Sequence, residues 1–390
     1  MKHKELFRIL EEIGEDLEIT KSQYKLAEER YQAVGNWLAK GEYCISGKSD
    51  IFFKDGEIYP QGSIRLETTV KPIGRNEFDI DLVFYTPNIS ASSITPERLR
   101  KIVGERLREN EKYKQMLIPL NRGWRINYAN EFHLDITPSL DNYNDQNENS
   151  ELVSDRQLQQ YMPTNPKGYA TWFDEASLIQ PSIQSTISLF ESRKMIIVED
   201  AATVTELPKY NTNKPLLKRF IQIFKRHRDI MFQDKDDAPI SIIITTLATL
   251  SYLDCIKNYS YDNEYTLMID TLRNMNTFIH QVDSGYLIEN PTVKGENFAE
   301  KWNINSIKKH NFDKWNSEMI IFSESLANLN GQHKIFESLK QRLGEIPVNK
   351  IYEQITKKVS TNRKNGLLYL GESTNLQTSF PVKPNTFFGK

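Results

Sequence analysis

At 390 residues, with 38% hydrophobic and 26% charged side chains, the chain is long enough for two packed lobes or one elaborated domain and carries no compositional sign of global disorder. A net charge of −2 and a pI near 6.4 argue against bulk nucleic acid as the main partner, because proteins that neutralise phosphate backbones carry a basic surplus. Cys44 and Cys255 are too few and too far apart for a disulfide framework or a cysteine-based zinc site, so a reducing compartment is the simple reading.

No proline precedes Pro60, and Leu6, Leu10, Ile13 and Leu17, then Tyr24, Ala27, Tyr31, Val34 and Leu38, recur at three- and four-residue steps. That spacing predicts one long amphipathic helix, bent near Gly14. Charges every few residues deny the N-terminus both a signal peptide's apolar core and a transmembrane run. The longest apolar stretch, residues 240–253, is interrupted by Ser and Thr and too short to span a bilayer, so a cytoplasmic protein without a membrane partner is expected.

Residues 77–85, EFDIDLVFY, alternate acidic and apolar side chains before turning fully apolar, as a strand does on entering a core. Asp79 and Asp81 then share one face. Residues 95–117 read as a helix, followed by strand-like WRINY and FHLDIT around a turn at Ala129 and Asn130. The polar run DNYNDQNENSE, residues 141–151, reads as a loop with solvated acids leading to the next helical segment. Beyond about residue 165 helical patterns dominate, including 215–232, 239–256 and 264–280, with Pro215 and Pro239 at or near first turns. The stretch 371–390 is rich in Ser, Thr, Asn and Pro and reads as a tail leaving the globular body.

Three features carry chemistry: the Gly-Ser pair in PQGSIRLETT, the Asp-Ile-Asp of the apolar strand, and the lone acid in HLDIT. Acids at alternate strand positions lie about 6–7 Å apart at Cα and can bridge two hard cations, with a third carboxylate from a neighbouring strand completing the site. Asp79, Asp81 and Asp135 are therefore read as catalytic and as ligands of two Mg²⁺ ions, for which Mn²⁺ is able to substitute. Clustered carboxylates repel one another without cations, which favours metal binding. Gly62 would let backbone approach a phosphate, and Ser63 would offer it a hydroxyl and an amide. The segment LLKRFIQIFKRHRD predicts an amphipathic helix with a solvated basic face. His133 shares a strand face with Asp135 but is left outside the catalytic set.

These motifs carry a resemblance. GSIRLETTVKPIGRNEFDIDLV with HLDITP downstream resembles the polymerase-β-type nucleotidyltransferases, and PQGS, FDIDLV, NPKGYATWF and LLKRFIQIFKRHRD together resemble the bacterial cGAS/DncV-like nucleotidyltransferases. The resemblance implies an α+β fold: an N-terminal spine helix (1–45), a nucleotidyltransferase core with a mixed sheet (46–210), a helical C-terminal lobe (211–370) and a flexible tail (371–390). It implies synthesis of a cyclic di- or trinucleotide second messenger from nucleoside triphosphates, ATP or GTP, with release of pyrophosphate, in the anti-phage systems called CBASS. It also implies a lysine on the donor phosphates, for which Lys225 is chosen and Lys235 held in reserve; Gln61, Gly62, Ser63 and Ser241 complete the nucleotide-binding set.

The same triad would serve an enzyme that modifies an RNA end, a protein or a small molecule. A nucleotide-binding regulator that has lost turnover is a third reading, against which the presence of all three acids counts. The end of the tail, Phe387, Phe388 and Gly389, resembles C-termini engaged by ubiquitin-transfer-like partner enzymes in such defence systems, although here Lys390 follows the glycine.

Overall fold

In the computed structural model, which describes residues 2–40, 42–43, 51–52, 56–74, 77–129, 131–145, 147, 149–183, 204–365, 369–370 and 380–381, the N-terminal periodicity folds as two helices, α1 (Lys2–Asp16) and α2 (Lys21–Ala39). The expected single helix is broken at Thr20 and not at Gly14. The Thr20 hydroxyl accepts from the Gln23 amide while the Gln23 side chain accepts from the Thr20 amide, a reciprocal cap that starts a new helix. Gly14 stays within α1, and since a Cβ there would come 2.3 Å from Arg219 Cδ, the glycine is what admits the close approach of the helix that carries Arg219.

After a short antiparallel pair, β1 (Glu42–Tyr43) and β2 (Ile51–Phe52), the chain builds its main sheet. Its segments are β3 (Glu57–Gln61), α3 (Gly62–Arg65), β4 (Phe78–Thr86), α4 (Pro96–Arg108), α5 (Glu111–Met116), β5 (Leu117–Pro119), β6 (Trp124–Tyr128), β7 (Phe132–Asp141), β8 (Glu151–Asp155) and β9 (Gln160–Thr164). Asn110 divides the helix expected over 95–117, its side chain accepting from the first amides of α5. The run 141–151 leads to the β8–β9 hairpin and not directly to a helix. Glu151, at its end, is buried and accepts from the Tyr59 hydroxyl; the expectation of solvated acids fails there.

The sheet order is β3-β4-β7-β6-β5, with β8 on β7 and β9 on β8. β4 and β7 run parallel, and the other neighbours are antiparallel. Then come α6 (Pro166–Leu178), α7 (Leu216–Met231), α8 (Ser241–Asn258), α9 (Glu264–Asn274), a hairpin of β10 (His280–Val282) and β11 (Gly285–Leu287), α10 (Glu300–Ile304), α11 (Ser306–Asn328), α12 (Gln332–Leu343), α13 (Glu345–Lys364), and a small pair, β12 (Tyr369–Leu370) and β13 (Phe380–Pro381). The helix expected to reach residue 280 ends at Asn274 in a 3₁₀ turn. This is the mixed α+β core with a helical lobe that the sequence implies.

Two hydrophobic cores form. Leu6, Phe7, Leu10 and Ile13 of α1 join Phe173 of α6, Phe220 and Phe224 of α7 and Trp315 of α11. Ala27, Tyr31, Val34 and Leu38 of α2 join Ile80, Leu82 and Phe84 of β4 and Leu134 and Ile136 of β7. Each fully buried Leu, Ile or Phe contributes about 1.5–3 kcal/mol, so the break between α1 and α2 lets one segment anchor both cores.

The basic face of α7 is buried, contrary to the expectation of a solvated one, because it forms the seam between the cores. Lys218 binds Glu67 and Asp174, Arg219 binds Glu18, and Arg226 donates to the Lys71 and Leu343 carbonyls. Cations out of water persist only with such partners. No helix among the described residues is long and apolar enough to cross a membrane. Cys44 and the tail residues Phe387, Phe388, Gly389 and Lys390 lie outside the described residues.

Candidate active site

The parallel register of β4 and β7 puts Asp81 beside Asp135 and Asp79 beside His133. Antiparallel β3 places Gln61 opposite Asp81, so the chain turns at Gly62 directly against that carboxylate. Gly62 has a φ of 65°, and a Cβ there would come 2.1 Å from Asp81 Oδ2. Glycine is required twice over, by conformation and by contact. Ser63 follows in α3 with its Oγ 3.1 Å from Thr69 Oγ1.

These residues open on a cleft of about 890 Å³ between sheet and helices. Gly62, Ser63, Asp79, Asp81, Lys225, Lys235 and Ser241 all line it; Gln61 and Asp135 are not among its lining residues. Lys225 Nζ is buried and donates to Thr68 Oγ1 at 2.8 Å. Burial, then repulsion from Arg228, lowers its pKa to about 7. Lys235 is held through the Met231 carbonyl, and the Ser241 hydroxyl accepts from Arg228 at 3.2 Å.

The carboxylates are electrostatically loaded. Burial, then Asp135 and Asp79, pushes Asp81 up to about 8. Burial also raises Asp135, although the hydrogen bond from Arg125 opposes it. Arg125 carries no motif and was absent from the sequence-derived set. Its β6 position lies opposite Asp135 in the antiparallel register, and its guanidinium forks onto Asp135 at 2.6 and 2.7 Å while reaching Asp79 at 3.0 Å. His133 stands 3.2 Å from Asp79 and 2.6 Å from Glu77. Arg228 and Asp229, 2.7 Å apart at the end of α7, also line the cleft and were not singled out for it.

The donor chemistry suits hard divalent cations: carboxylate oxygens on adjacent strands, Asp81 raised by burial and then by Asp135 and Asp79, and a guanidinium already bridging Asp79 and Asp135. Among the described residues no three acidic, His or Cys side chains are arranged to hold an ion as they stand, and the convergence of Asp79 and Asp135 runs through the Arg125 guanidinium.

A mixed sheet with acids at alternate positions of one strand, a third acid on its parallel neighbour and a Gly-Ser turn packed against them is the architecture of the polymerase-β-type nucleotidyltransferases. Residues 1–176 match the Second Messenger Oligonucleotide or Dinucleotide Synthetase domain. The chain is 31% identical over 398 residues to a c-di-GMP synthase of Roseivirga ehrenbergii, covering 97% of this chain and 96% of that one. It is 24% identical to the cyclic dinucleotide synthase CdnG of Bradyrhizobium diazoefficiens over 57% of this chain and 53% of that protein. The fold matches the solved structure of that CdnG with GTP at a TM-score of 0.65 and 19% identity, covering 90% of this chain and 98% of that one. It matches Vibrio cholerae DncV in its GTP-bound form at 0.54 and 13% identity, covering 88% and 86%. The chain belongs to the cGAS/DncV-like family of second-messenger oligonucleotide and dinucleotide synthetases.

Proposed function

We propose that the protein joins two GTP molecules into a cyclic dinucleotide with release of pyrophosphate, using Mg²⁺ at Asp79, Asp81 and Asp135. The product would act as a second messenger in anti-phage defence of the CBASS type, with accessory proteins of such systems as partners. The observation that carries the reading is the register of β4 and β7, with Asp81 beside Asp135 and the Gly62 turn against them. Guanine is preferred because the relative matched along nearly its whole length is named a c-di-GMP synthase.

When bound, divalent cations would screen the triphosphate and favour ionisation of the attacking hydroxyl. The chain's own groups do the remainder. Gly62 brings backbone to the cleft without a side chain in the way, and Ser63 presents its hydroxyl beside Thr69. Lys225, held at Thr68 and poised near neutrality, regains its full charge against an arriving triphosphate. Asp135, on the strand beside Asp81, would take the proton of the attacking hydroxyl.

Incubation with each nucleoside triphosphate alone, Mg²⁺ and no acceptor, followed by phosphatase and mass spectrometry, tests this. GTP alone should give a phosphatase-resistant cyclic dinucleotide, and Asp79→Ala with Asp81→Ala should reduce it to background. In a parallel incubation of labelled GTP with added RNA, protein or small molecule, label found only on that acceptor would overturn the proposal, as would unimpaired turnover in the double variant.

A further inference from the structure

Among the described residues, Arg125 is the side chain that pairs with two of the three carboxylates. Its fork onto Asp135, with the same Nη2 reaching Asp79, sets one positive charge against two carboxylates from a single strand position. The contact is built. β6 pairs with β7 so that Arg125 lies directly across from Asp135, while Trp124 and Ile126 on either side face the core. His133, the register neighbour of Asp79, adds a contact of 3.2 Å to Arg125 Nη1. Asp81, by contrast, has no hydrogen bond from Arg125 and faces the cleft beside Gly62.

We infer that Arg125 is an internal counter-ion that occupies the Asp79–Asp135 half of the site and is displaced when a divalent cation binds there, so that Arg125 is a positioning residue setting the affinity of that cation. The inference rests on the assignment of the three acids to a metal site. The asymmetry has a direct consequence. A cation held by Asp79 and Asp81 meets no direct competitor at Asp81, whereas one that needs Asp135 must first break a bidentate pair. The two cation sites should therefore differ in affinity through the protein's own side chain. A guanidinium suits this role, since it matches a carboxylate with two parallel hydrogen bonds and keeps its charge at any working pH.

The test is Mn²⁺ binding followed by electron paramagnetic resonance on the full-length protein, alone and with a non-hydrolysable GTP analogue. Wild type should show one tighter and one weaker class of site. Arg125→Gln should tighten the weaker class by about tenfold, the scale set by removing a charge-assisted competitor. Arg125→Lys, which keeps the charge and loses the fork, should fall between. A residue with a merely structural role would weaken ion binding when removed, so a gain in affinity discriminates. An Arg125→Gln or, should that variant not fold, an Arg125→Lys protein that binds Mn²⁺ no more tightly than wild type overturns the inference. Asp79→Ala with Asp81→Ala separates the two failures: if it leaves Mn²⁺ binding intact, the metal site itself is misassigned.

Discussion

Gly62 and Asp81 constrain each other. The turn can pass the carboxylate only because no Cβ projects from residue 62, and the carboxylate is crowded by the turn on one side and by Asp135 on the other. Asp81 consequently prefers to stay protonated up to about pH 8, with burial the larger cause and its two neighbours the next. The folded pKa lies above the unfolded value near 4, so ionisation opposes folding, and the cost accrues as pH rises from that value to about 8 and is full above it. In the absence of divalent cations Asp81→Asn should melt roughly 2–4 °C above wild type at pH 8, with the difference vanishing near pH 4. Melting curves at the two pH values measure this, and a difference that stays constant would count against it. That Asp79 and Asp81 share one strand was legible from the alternation of acid and apolar residues, and the turn before α3 from the glycine at 62. Arg125 was not, since an arginine alternating with Trp124 and Ile126 looks like any half-exposed strand residue until the register across β7 is known.

At the scale of elements, the junction of α1 and α2 does the most. Glu18 lies in the break between them, buried, where its carboxylate meets Lys214 at 2.6 Å, Arg219 at 3.3 Å and the Gln222 amide at 3.0 Å. The junction is thereby tied to α7 just as α7 is tied to the sheet side through Glu67 and Thr68. Removing Glu18 takes the paired carboxylate from two buried cations and leaves them only neutral oxygens, so Glu18→Ala should lower the unfolding free energy by about 3 kcal/mol. Urea denaturation would read it, and a loss under about 1 kcal/mol would show that solvent or other carboxylates replace Glu18. Periodicity located both helices but joined them, because Leu17 and Ile19 are as apolar as the pattern demands and only the Thr20–Gln23 pairing marks the stop. The buried basic face of α7 was hidden for a related reason. Lys218, Arg219 and Arg226 look solvated until another layer with acids and carbonyls is laid on them.

For the molecule as a whole, two cores share one cleft. The sheet contributes Asp79 and Asp81 to it, the short α3 that follows β3 contributes Gly62 and Ser63, and the helical side contributes Lys225, Lys235 and Ser241. A triphosphate lying across it would engage both and draw them together, which is how closure of such a site excludes water. The fold class was legible from the sequence because strand and helix periods segregate along the chain; the seam was not, since it is made by contacts more than a hundred residues apart, such as Lys218 with Glu67. On the function proposed, Asp79, Asp81 and Asp135 share divalent cations beside the Gly62 turn. Anomalous diffraction from crystals grown with Mn²⁺ and a non-hydrolysable GTP analogue tests it most directly. Two peaks about 3.5–4 Å apart among the three carboxylates, with Arg125 withdrawn, are the expected result; peaks elsewhere, or an Asp135 still held by Arg125 with no ion beside it, would contradict it.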